Sequence, residues 1–447
     1  MTEIIWRPDT PVGPAQGTGK PIYKPEIFKT IDSSIDALNK ELRELSLDIH
    51  SHPELAWKEH RTHDVLTGFM SKQGFTVKQH HILPTAWEAT YTHGTGGRTI
   101  GVNSEMDALP GVGHACGHNL IAIAGVAVAC AIKSVLEEWN ISGNIVLLGT
   151  PAEEGGQGKV PLLEGGAYDE MDACVMCHPA PGPPHSASLS GSLALQRLSV
   201  EFHGHTYAIP TQAFYPVTCR VAMLIYVLST SAHAALAPWE AQNALDAAVS
   251  AYTNIGLLRQ QLKPSYRVHG IIEGRDWAAN IIPDYAKMTY YLRSGIWAEV
   301  VAAIPRVVAC FEAAGLATGC KADIKKVNSV RELRQNKALG DEFANVFESK
   351  YGLIDYKHGI ASASTDFGNV TYALPSIHPG FGIPTVVNGG NHTRAFAESA
   401  GGEAAHKAAL NVAKALAAVG VRLLTDDGFF NEVKNTFEED KKIREAI

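Results

Sequence analysis

The stretch Thr99-Ile-Gly-Val-Asn103 is a short apolar run of the kind found in strands that are buried on both faces. An Ala-, Val- and Leu-rich segment at 119–138 follows it and predicts a buried helix. Two more apolar runs, at 144–149 and 172–177, are predicted strands. Strand, helix and further strands in this order indicate an α/β fold, with a mostly parallel sheet and helices on both faces.

The flanking sequence extends this first domain. Apolar residues recur at helical spacing from Ile27 to Leu45, which predicts a long helix with one buried face. Residues 1–24 are rich in Pro and Gly without periodicity, and we expect an extended N-terminal arm. A helix is predicted over 331–350, and an alanine-rich segment at 403–419 predicts the final helix.

The pattern changes between 194 and 327, where strand-like and helical segments alternate. We predict a smaller α+β lid domain here, with an antiparallel sheet. It is inserted between the two parts of the first domain, at 25–193 and 328–447. The predicted strands and helices of the insert are 198–202, 241–262, 266–272, 287–292, 297–314 and 321–327.

Composition excludes several classes of protein. A chain of 447 residues is long enough for two domains, and its formal charge of -8 is spread along the chain without a basic stripe, so we expect no nucleic-acid partner. We expect no membrane span, because no stretch approaches the roughly 18–20 apolar residues required. Seven cysteines do not form a disulfide framework, and the N-terminus lacks a signal-peptide pattern. A cytoplasmic location is therefore expected.

The first chemically rich cluster is the stretch Glu105-Met-Asp-Ala-Leu-Pro-Gly-Val-Gly-His-Ala-Cys-Gly-His-Asn119, which follows a predicted strand. Cys116 and His118 are able to turn toward one ion, since Gly117 allows a tight bend between them. A thiolate together with an imidazole favours zinc or a similar divalent metal. The alternative is a buried cysteine flanked by surface histidines.

Three other clusters follow along the chain. Pro151-Ala-Glu-Glu-Gly-Gly156 contains adjacent carboxylates, which form either a solvated loop or a pair in which one binds metal and the other moves protons. His178 directly follows an apolar run, and His392 lies in the loop Gly389-Gly-Asn-His-Thr393. Each histidine alone is compatible with a structural role. Together the four clusters, expected at strand ends of one sheet, supply enough ligands for two metals.

These motifs resemble the aminoacylase/carboxypeptidase family of co-catalytic metallopeptidases. The amidohydrolase branch, which includes auxin-conjugate hydrolases, hippurate hydrolases and aminoacylase-1-like dipeptidases, is the most similar, and the sequence of 105–119 is nearest to the dipeptidase-like subgroup. The resemblance covers about residues 30–425. Its motifs are Ser51-His-Pro-Glu-Leu55, His114-Ala-Cys-Gly-His118, Pro151-Ala-Glu-Glu154, His178, Ala237-Pro-Trp-Glu240, Asn280-Ile-Ile-Pro283 and His392.

The resemblance implies a function and a role for each matching residue. It implies cleavage of the amide bond of dipeptides or N-acyl amino acids that carry a free carboxylate, with two divalent ions per chain, zinc being expected and manganese or cobalt being alternatives. Glu153 matches the general base, and Asp107 a residue that orients a ligand. The lid would supply His233 to the scissile carbonyl across a homodimer interface, and Asn280 and Arg293 to the substrate carboxylate. The matching metal ligands are Cys116, His118, Glu154, His178 and His392.

The chain departs from the family in the lid. Removing residues 207–231 joins His203-Gly-His-Thr206 to Ala232-His-Ala-Ala235 and restores the uninterrupted phrase of the relatives. The segment has no glycine and little charge, and its apolar run at 221–228 would be awkward on a loop. We hypothesise a short intron translated in frame; the alternative is a genuine insertion.

Two other functions compete with the hydrolase. One is a catalytically impaired binding or regulatory relative whose lid is remodelled by residues 207–231. The other is a mononuclear zinc deacetylase, which metal stoichiometry would distinguish. The intact ligand set together with Glu153 favours the dinuclear hydrolase.

Overall fold

The computed structural model describes residues 21–204, 232–236, 238–355 and 362–446. Contacts divide the chain into two compact units, one running up to Leu193 and resuming at Val330, the other spanning Ala194–Ser329. The predicted arm at 1–24 and the segment 207–231 lie wholly or largely outside the described residues.

The helices are α1 (Pro25–Ser51), α2 (His60–Lys72), α3 (His118–Glu138), α4 (Glu153–Gly156), α5 (Lys159–Glu164), α6 (Ala244–Leu258), α7 (Trp297–Thr318), α8 (Lys337–Lys350), α9 (Phe367–Ala373), α10 (Arg394–Ala400), α11 (Glu403–Thr425) and α12 (Asp427–Glu445).

The strands belong to three sheets in the described part of the chain. Their bounds are β1 (Thr76–Gln79), β2 (Trp87–His93), β3 (Thr99–Glu105), β4 (Gly143–Thr150), β5 (Ala173–Val175), β6 (His178–Pro181), β7 (Ser186–Ser188), β8 (Ala194–His203), β9 (Arg267–Gly274), β10 (Tyr285–Ser294), β11 (Lys321–Val330), β12 (Leu353–Asp355), β13 (Ser376–Ile377) and β14 (Gly380–Ile383).

The first unit is built on a six-stranded sheet in the order β1-β2-β4-β3-β5-β13. The neighbours β4, β3, β5 and β13 run parallel to one another, while β1 and β2 form an antiparallel edge. The alternating side chains of β4 enter two different cores, with Ile145 and Leu147 on one face and Val146 and Leu148 on the other. The predicted α/β architecture, with a parallel-rich sheet covered on both faces, is confirmed.

The helix α3 is the centre of the larger core. It packs against α1, α11 and β3, and nearly all of its residues are buried. Ala, Val and Ile dominate its sequence, so that it fits closely between these elements without a polar face. Because α3 begins at His118, its buried position fixes the C-terminal end of the predicted ligand cluster at 105–119.

A small second sheet completes this unit, in the order β12-β7-β14-β6. His178 begins β6 in this sheet, whereas β5 of the large sheet has already ended at Val175. The expectation that all four clusters lie at strand ends of one sheet is therefore wrong. Apolarity alone predicts a continuous strand over 172–177, but the ladder of the large sheet is only three residues long here.

The second unit contains the four-stranded sheet β11-β8-β10-β9, in which β8, β10 and β9 pair antiparallel. The helices α6 and α7 pack against each other and on this sheet, with Val300, Val307 and Phe311 of α7 in the core. This is the antiparallel α+β sheet expected for the insert.

Other expectations need correction. The segment 331–336 is not helical, since α8 begins only at Lys337 after its Asn336 cap. The alanine-rich helix is not the last one, because α12 follows it. Only Phe429 and Val433 of α12 are buried, so its sequence shows little apolar periodicity.

The expectation that no segment has the length and apolarity of a membrane span is also wrong. Within the described residues, α3, α7 and α11 are long and apolar enough by length and composition. In α3 and α11, 89% and 72% of the most apolar window is buried inside the protein, against 39% in α7. These helices contain many alanines in place of long uninterrupted runs of strongly apolar residues, which explains why the sequence pattern did not reveal them.

Candidate metal centre

The loop between β3 and α3 presents Cys116 and His118 together. Gly117 joins them with a φ of 82°, in the left-handed region that glycine adopts without strain. A Cβ atom at this position would lie 2.5 Å from Cγ of Pro179, which is too close for any side chain. The glycine is therefore required both by the turn and by the packing.

Asp107 connects this loop to the cluster at the end of β4. Its two carboxylate oxygens accept the backbone N–H groups of Glu153 and Glu154, each at 3.0 Å. Oδ1 of Asp107 also lies 3.2 Å from Nδ1 of His118, and both side chains are fully buried. The predicted orienting residue thus lies within hydrogen-bonding distance of one candidate ligand and holds the backbone of another.

Sequence reasoning missed Glu59, which holds the same turn from the other side. Ala152 has a φ of 57°, and its N–H donates to Oε1 of Glu59 at 2.9 Å. The second oxygen of this buried carboxylate accepts the hydroxyl of Thr85 at 2.8 Å. Glu59 follows the motif that ends at Leu55, but its partners are far away in sequence, and no local pattern indicates the role.

The structure brings all five predicted ligands together. Sγ of Cys116 lies 3.3 Å from Nε2 of His178, and Nε2 of His392 lies 3.2 Å from Oε1 of Glu154. The ligand atoms of Cys116, His118 and His178 lie within 4.8 Å of one another, as do those of Cys116, Glu154 and His392. Cys116 belongs to both groups.

Distant loops contribute to this arrangement. His392 follows β14 of the small sheet, and its backbone N–H donates to the carbonyl of Ala115 at 2.8 Å. Asn391 donates to the carbonyl of Pro179 at 3.1 Å. The His392 side chain is 56% exposed, whereas Glu154 is 12% exposed and the remaining ligands are buried. The centre therefore opens to solvent on the His392 side.

The surroundings shift the pKa values of the two adjacent glutamates in opposite directions. Burial raises the pKa of Glu153 well above its usual range, and the charges of Glu105 and Glu154 raise it further. Burial acts in the same direction on Glu154, but the hydrogen bond with His392 and the charge of His118 outweigh it and lower its pKa. Glu153 is thus suited to hold a proton and Glu154 to remain a carboxylate.

The donor set fits divalent ions. Burial raises the pKa of the Cys116 thiol well above its usual range, as does the charge of Glu154. Burial lowers the pKa of His118, but Glu105 and Asp107 more than reverse this effect. Both side chains are buried beside carboxylates, and a divalent ion would offset this negative charge and deprotonate a coordinating thiol. One thiol, three imidazoles and one carboxylate are zinc-type ligands.

The other predicted site residues belong to the second unit. Nδ1 of His233 accepts the N–H groups of Ala235 and Leu236, each at 3.1 Å, so the neutral ring carries its proton on Nε2. The carbonyl of Asn280 accepts the N–H of Ala234 at 3.0 Å, next to a bridge between His233 and Ile281. The structure thus brings Asn280 and His233 onto neighbouring backbone.

Arg293 lies on β10, opposite Leu195 of β8 and Arg267 of β9. Its guanidinium lies 5.6 Å from the ring centroid of Tyr291.

Residues 101–418 match the model of peptidase family M20/M25/M40. The chain is 36% identical to the Xaa-Arg dipeptidase of Mus musculus, over 98% of this chain and 97% of the mouse enzyme. The chain belongs to this peptidase family. It is therefore a hydrolase of peptide C–N bonds, and the family resemblance drawn from the motifs is confirmed.

Other relatives extend the comparison. The chain is 24% identical to the N-acetyldiaminopimelate deacetylase of Leuconostoc mesenteroides, over 87% of this chain and 96% of that protein. Among solved structures, an M20-family dinuclear metal-binding peptidase of Bacillus subtilis superposes with a TM-score of 0.62 at 17% identity. The match covers 87% of this chain and 99% of the Bacillus chain, and at this identity the likeness supports the fold alone.

Proposed function

We propose that this peptidase is a metal-dependent dipeptidase that uses two divalent ions and Glu153 as general base. The observation that carries the proposal is the pair of ligand groups that share Cys116 and have Glu153 next to Glu154. A structural thiol would have no need of three imidazoles and a carboxylate at ligand distance. The coarser conclusion, a hydrolase of peptide bonds, follows from the family.

The chemistry at the centre requires an activated water. Divalent ions held by these ligands supply Lewis acidity, which lowers the pKa of a water toward about 7. Glu153 then takes a proton from the attacking water and delivers it to the leaving nitrogen. Burial and the neighbouring carboxylates raise the pKa of Glu153, which makes it a stronger proton acceptor than an exposed glutamate.

Zinc is the metal we propose. A buried thiolate with imidazoles favours zinc over magnesium or calcium, although manganese and cobalt use the same ligand types. Asp107 supports the assignment, because a carboxylate beside the second nitrogen of a histidine ligand fixes its tautomer.

The lid residues are proposed to recognise the substrate. The proton on Nε2 of His233 is suited to donate a hydrogen bond to the scissile carbonyl, where negative charge develops. The planar guanidinium of Arg293 suits a carboxylate, and Asn280 offers an amide. We further propose a homodimer formed through the lid, as the resemblance implies, and a cytoplasmic location, as the cysteine usage implies.

The substrate class is taken from the relatives. The mouse and human enzymes are Xaa-Arg dipeptidases, each 36% identical to this chain. We therefore propose dipeptides with a free carboxylate and a basic C-terminal residue. N-acyl amino acids form the second substrate class, and a catalytically impaired binding relative is the second functional candidate.

The test is hydrolysis of a matched panel by the zinc-loaded chain, measured by release of the free amino acid. The panel contains one N-terminal residue joined to Arg, Lys, Gln or Glu, together with N-acetyl-Arg. We expect cleavage of the Arg and Lys dipeptides at least tenfold faster than of the Gln and Glu peptides, whose shorter side chains lack the positive charge. Equal rates across the panel would contradict the basic specificity. No hydrolysis with two bound ions would support the binding relative.

A further inference from the structure

A buried charged cluster lies directly beside the metal centre, and none of its side chains is a metal ligand or proton carrier in the function proposed above. Glu105, at the end of β3, has a fully buried side chain whose Oε1 accepts from Nζ of Lys159 at 2.6 Å. The same ammonium donates to Oδ1 of Asp366 at 2.6 Å, and the backbone N–H of Lys159 donates to Oδ2 of Asp366. Lys159 and Asp366 are buried as well, so water does not compensate their charges.

The second oxygen of Glu105 is not used by this cluster. Oε2 is buried and has no hydrogen-bond partner within the described residues, and it lies 3.3 Å from Nε2 of His118. On the other side of this ring, Nδ1 is 3.2 Å from Oδ1 of Asp107. If Nδ1 carries the proton for Asp107, Nε2 presents a lone pair toward Oε2. Two acceptors facing each other require a cation or a second proton between them.

The separation of these two atoms is that of ligands on one ion. Atoms bound at about 2.1 Å to a tetrahedral zinc lie about 3.4 Å apart. Oε1 of Glu154 lies 4.0 Å from the same Nε2. The ammonium of Lys159, 2.6 Å from Oε1 of Glu105, favours the ionised carboxylate.

We propose that Glu105 is an additional metal-binding residue, whose Oε2 binds the same ion as His118, and that Lys159 is the fixed counter-ion that orients it. The proposal rests on the dinuclear centre of the proposed function. Lys159 neutralises one oxygen and fixes the rotamer, which leaves the other oxygen directed at the ion. Asp366 completes the cluster through Lys159, and both of its oxygens accept hydrogen bonds from that residue.

Lys159 uses only one oxygen of Glu105 but both oxygens of Asp366. This difference between the two carboxylates provides a matched pair of variants, Glu105→Gln and Asp366→Asn. Each removes one carboxylate from Lys159 at the same distance and burial, but only the first removes the charge that faces His118. The full chain is loaded with zinc, and the affinities of the two ions are measured by competition with a chromophoric chelator. The cobalt-loaded protein is compared by its visible absorption, which reports the ligands and the coordination number.

We expect Glu105→Gln to bind one of the two ions at least tenfold more weakly and to change the cobalt spectrum. Asp366→Asn should keep both affinities within about threefold of the original chain, with an unchanged spectrum. Glu105→Asp keeps the charge but shortens the side chain, so it should show the same selective loss, and it serves if Glu105→Gln does not fold.

Two results would overturn the proposal. Unchanged affinities and spectrum in the Glu105 variants would make Glu105 a partner of Lys159 alone, and equal losses in Glu105→Gln and Asp366→Asn would make the cluster purely structural. If the original chain itself binds fewer than two ions, the proposed dinuclear centre fails instead. That result is distinguishable because it appears before any substitution is made.

Discussion

Glu153 is the single residue on which the proposed chemistry depends most. Its backbone is held by Asp107, and its buried side chain has a raised pKa. We predict that Glu153→Gln retains both metal ions but lowers kcat by about a hundredfold or more, with little change in KM, because the proton carrier is lost while the ligands remain. Steady-state kinetics and metal analysis of the same preparation check this.

The exposed Glu164 at the end of α5 provides the control. Glu164→Gln removes the same charge and should leave kcat unchanged. Near-normal turnover in Glu153→Gln would remove Glu153 from its assigned role.

At the scale of single residues, sequence reasoning identified site residues that belong to local motifs. It missed residues whose partners are distant in the chain. Cys116 and His118 are two residues apart, and Glu153 and Glu154 are adjacent, so both pairs are visible as clusters. Lys159 and Asp366 are separated by 207 residues, and their contact depends on the tertiary fold. A lone lysine after a glycine-rich stretch gives no sign that it is buried.

At the scale of elements, the turn from β3 into α3 positions the ligands. We predict that Gly117→Ala weakens metal binding by at least tenfold, because a Cβ atom would collide with Pro179 and separate Cys116 from His118. Calorimetric zinc titration measures this effect.

Gly111 in the same loop is the matched control. It also has a positive φ, of 74°, but nothing lies within 4 Å of its hypothetical Cβ. Gly111→Ala should therefore show only backbone strain, a loss of about 1 kcal/mol in the free energy of unfolding, with normal metal affinity. Equal metal affinities in the two variants would contradict the steric account.

Helices and strands with a strong local sequence pattern could be predicted, and those without one could not. The long apolar segments of α3 and β4 were predictable because both elements are buried along nearly their whole length. The strands β6, β7, β12 and β14 of the small sheet are only three or four residues long, too short for any periodicity. The position of His178 at the start of β6 therefore required the structure.

At the scale of the whole molecule, the segment 207–231 stands between His203-Gly-His-Thr206 and Ala232-His-Ala-Ala235, two motifs that the family resemblance implies to be continuous. Its residues lie outside the described part of the chain. We predict that a version lacking Tyr207–Ser231 is more soluble and at least tenfold more active than the full chain, since removal restores the sequence before His233 and eliminates an apolar run. The two versions are compared by soluble yield and dipeptide hydrolysis.

Sequencing of the transcript gives an independent check on this segment. Messages that all contain the segment would end the intron hypothesis. Comparable activity in both versions would make it a tolerated insertion, and activity confined to the longer version would make it a working part of the lid.

The dinuclear centre is the central claim for the molecule as a whole, and metal titration tests it most directly. The chain is stripped with a chelator, zinc is added stepwise, and bound metal and dipeptidase activity are measured at each step. We predict no activity without metal and full activity at two ions per chain. Activity in the stripped protein, or full activity with a single ion and no second site, would contradict the account.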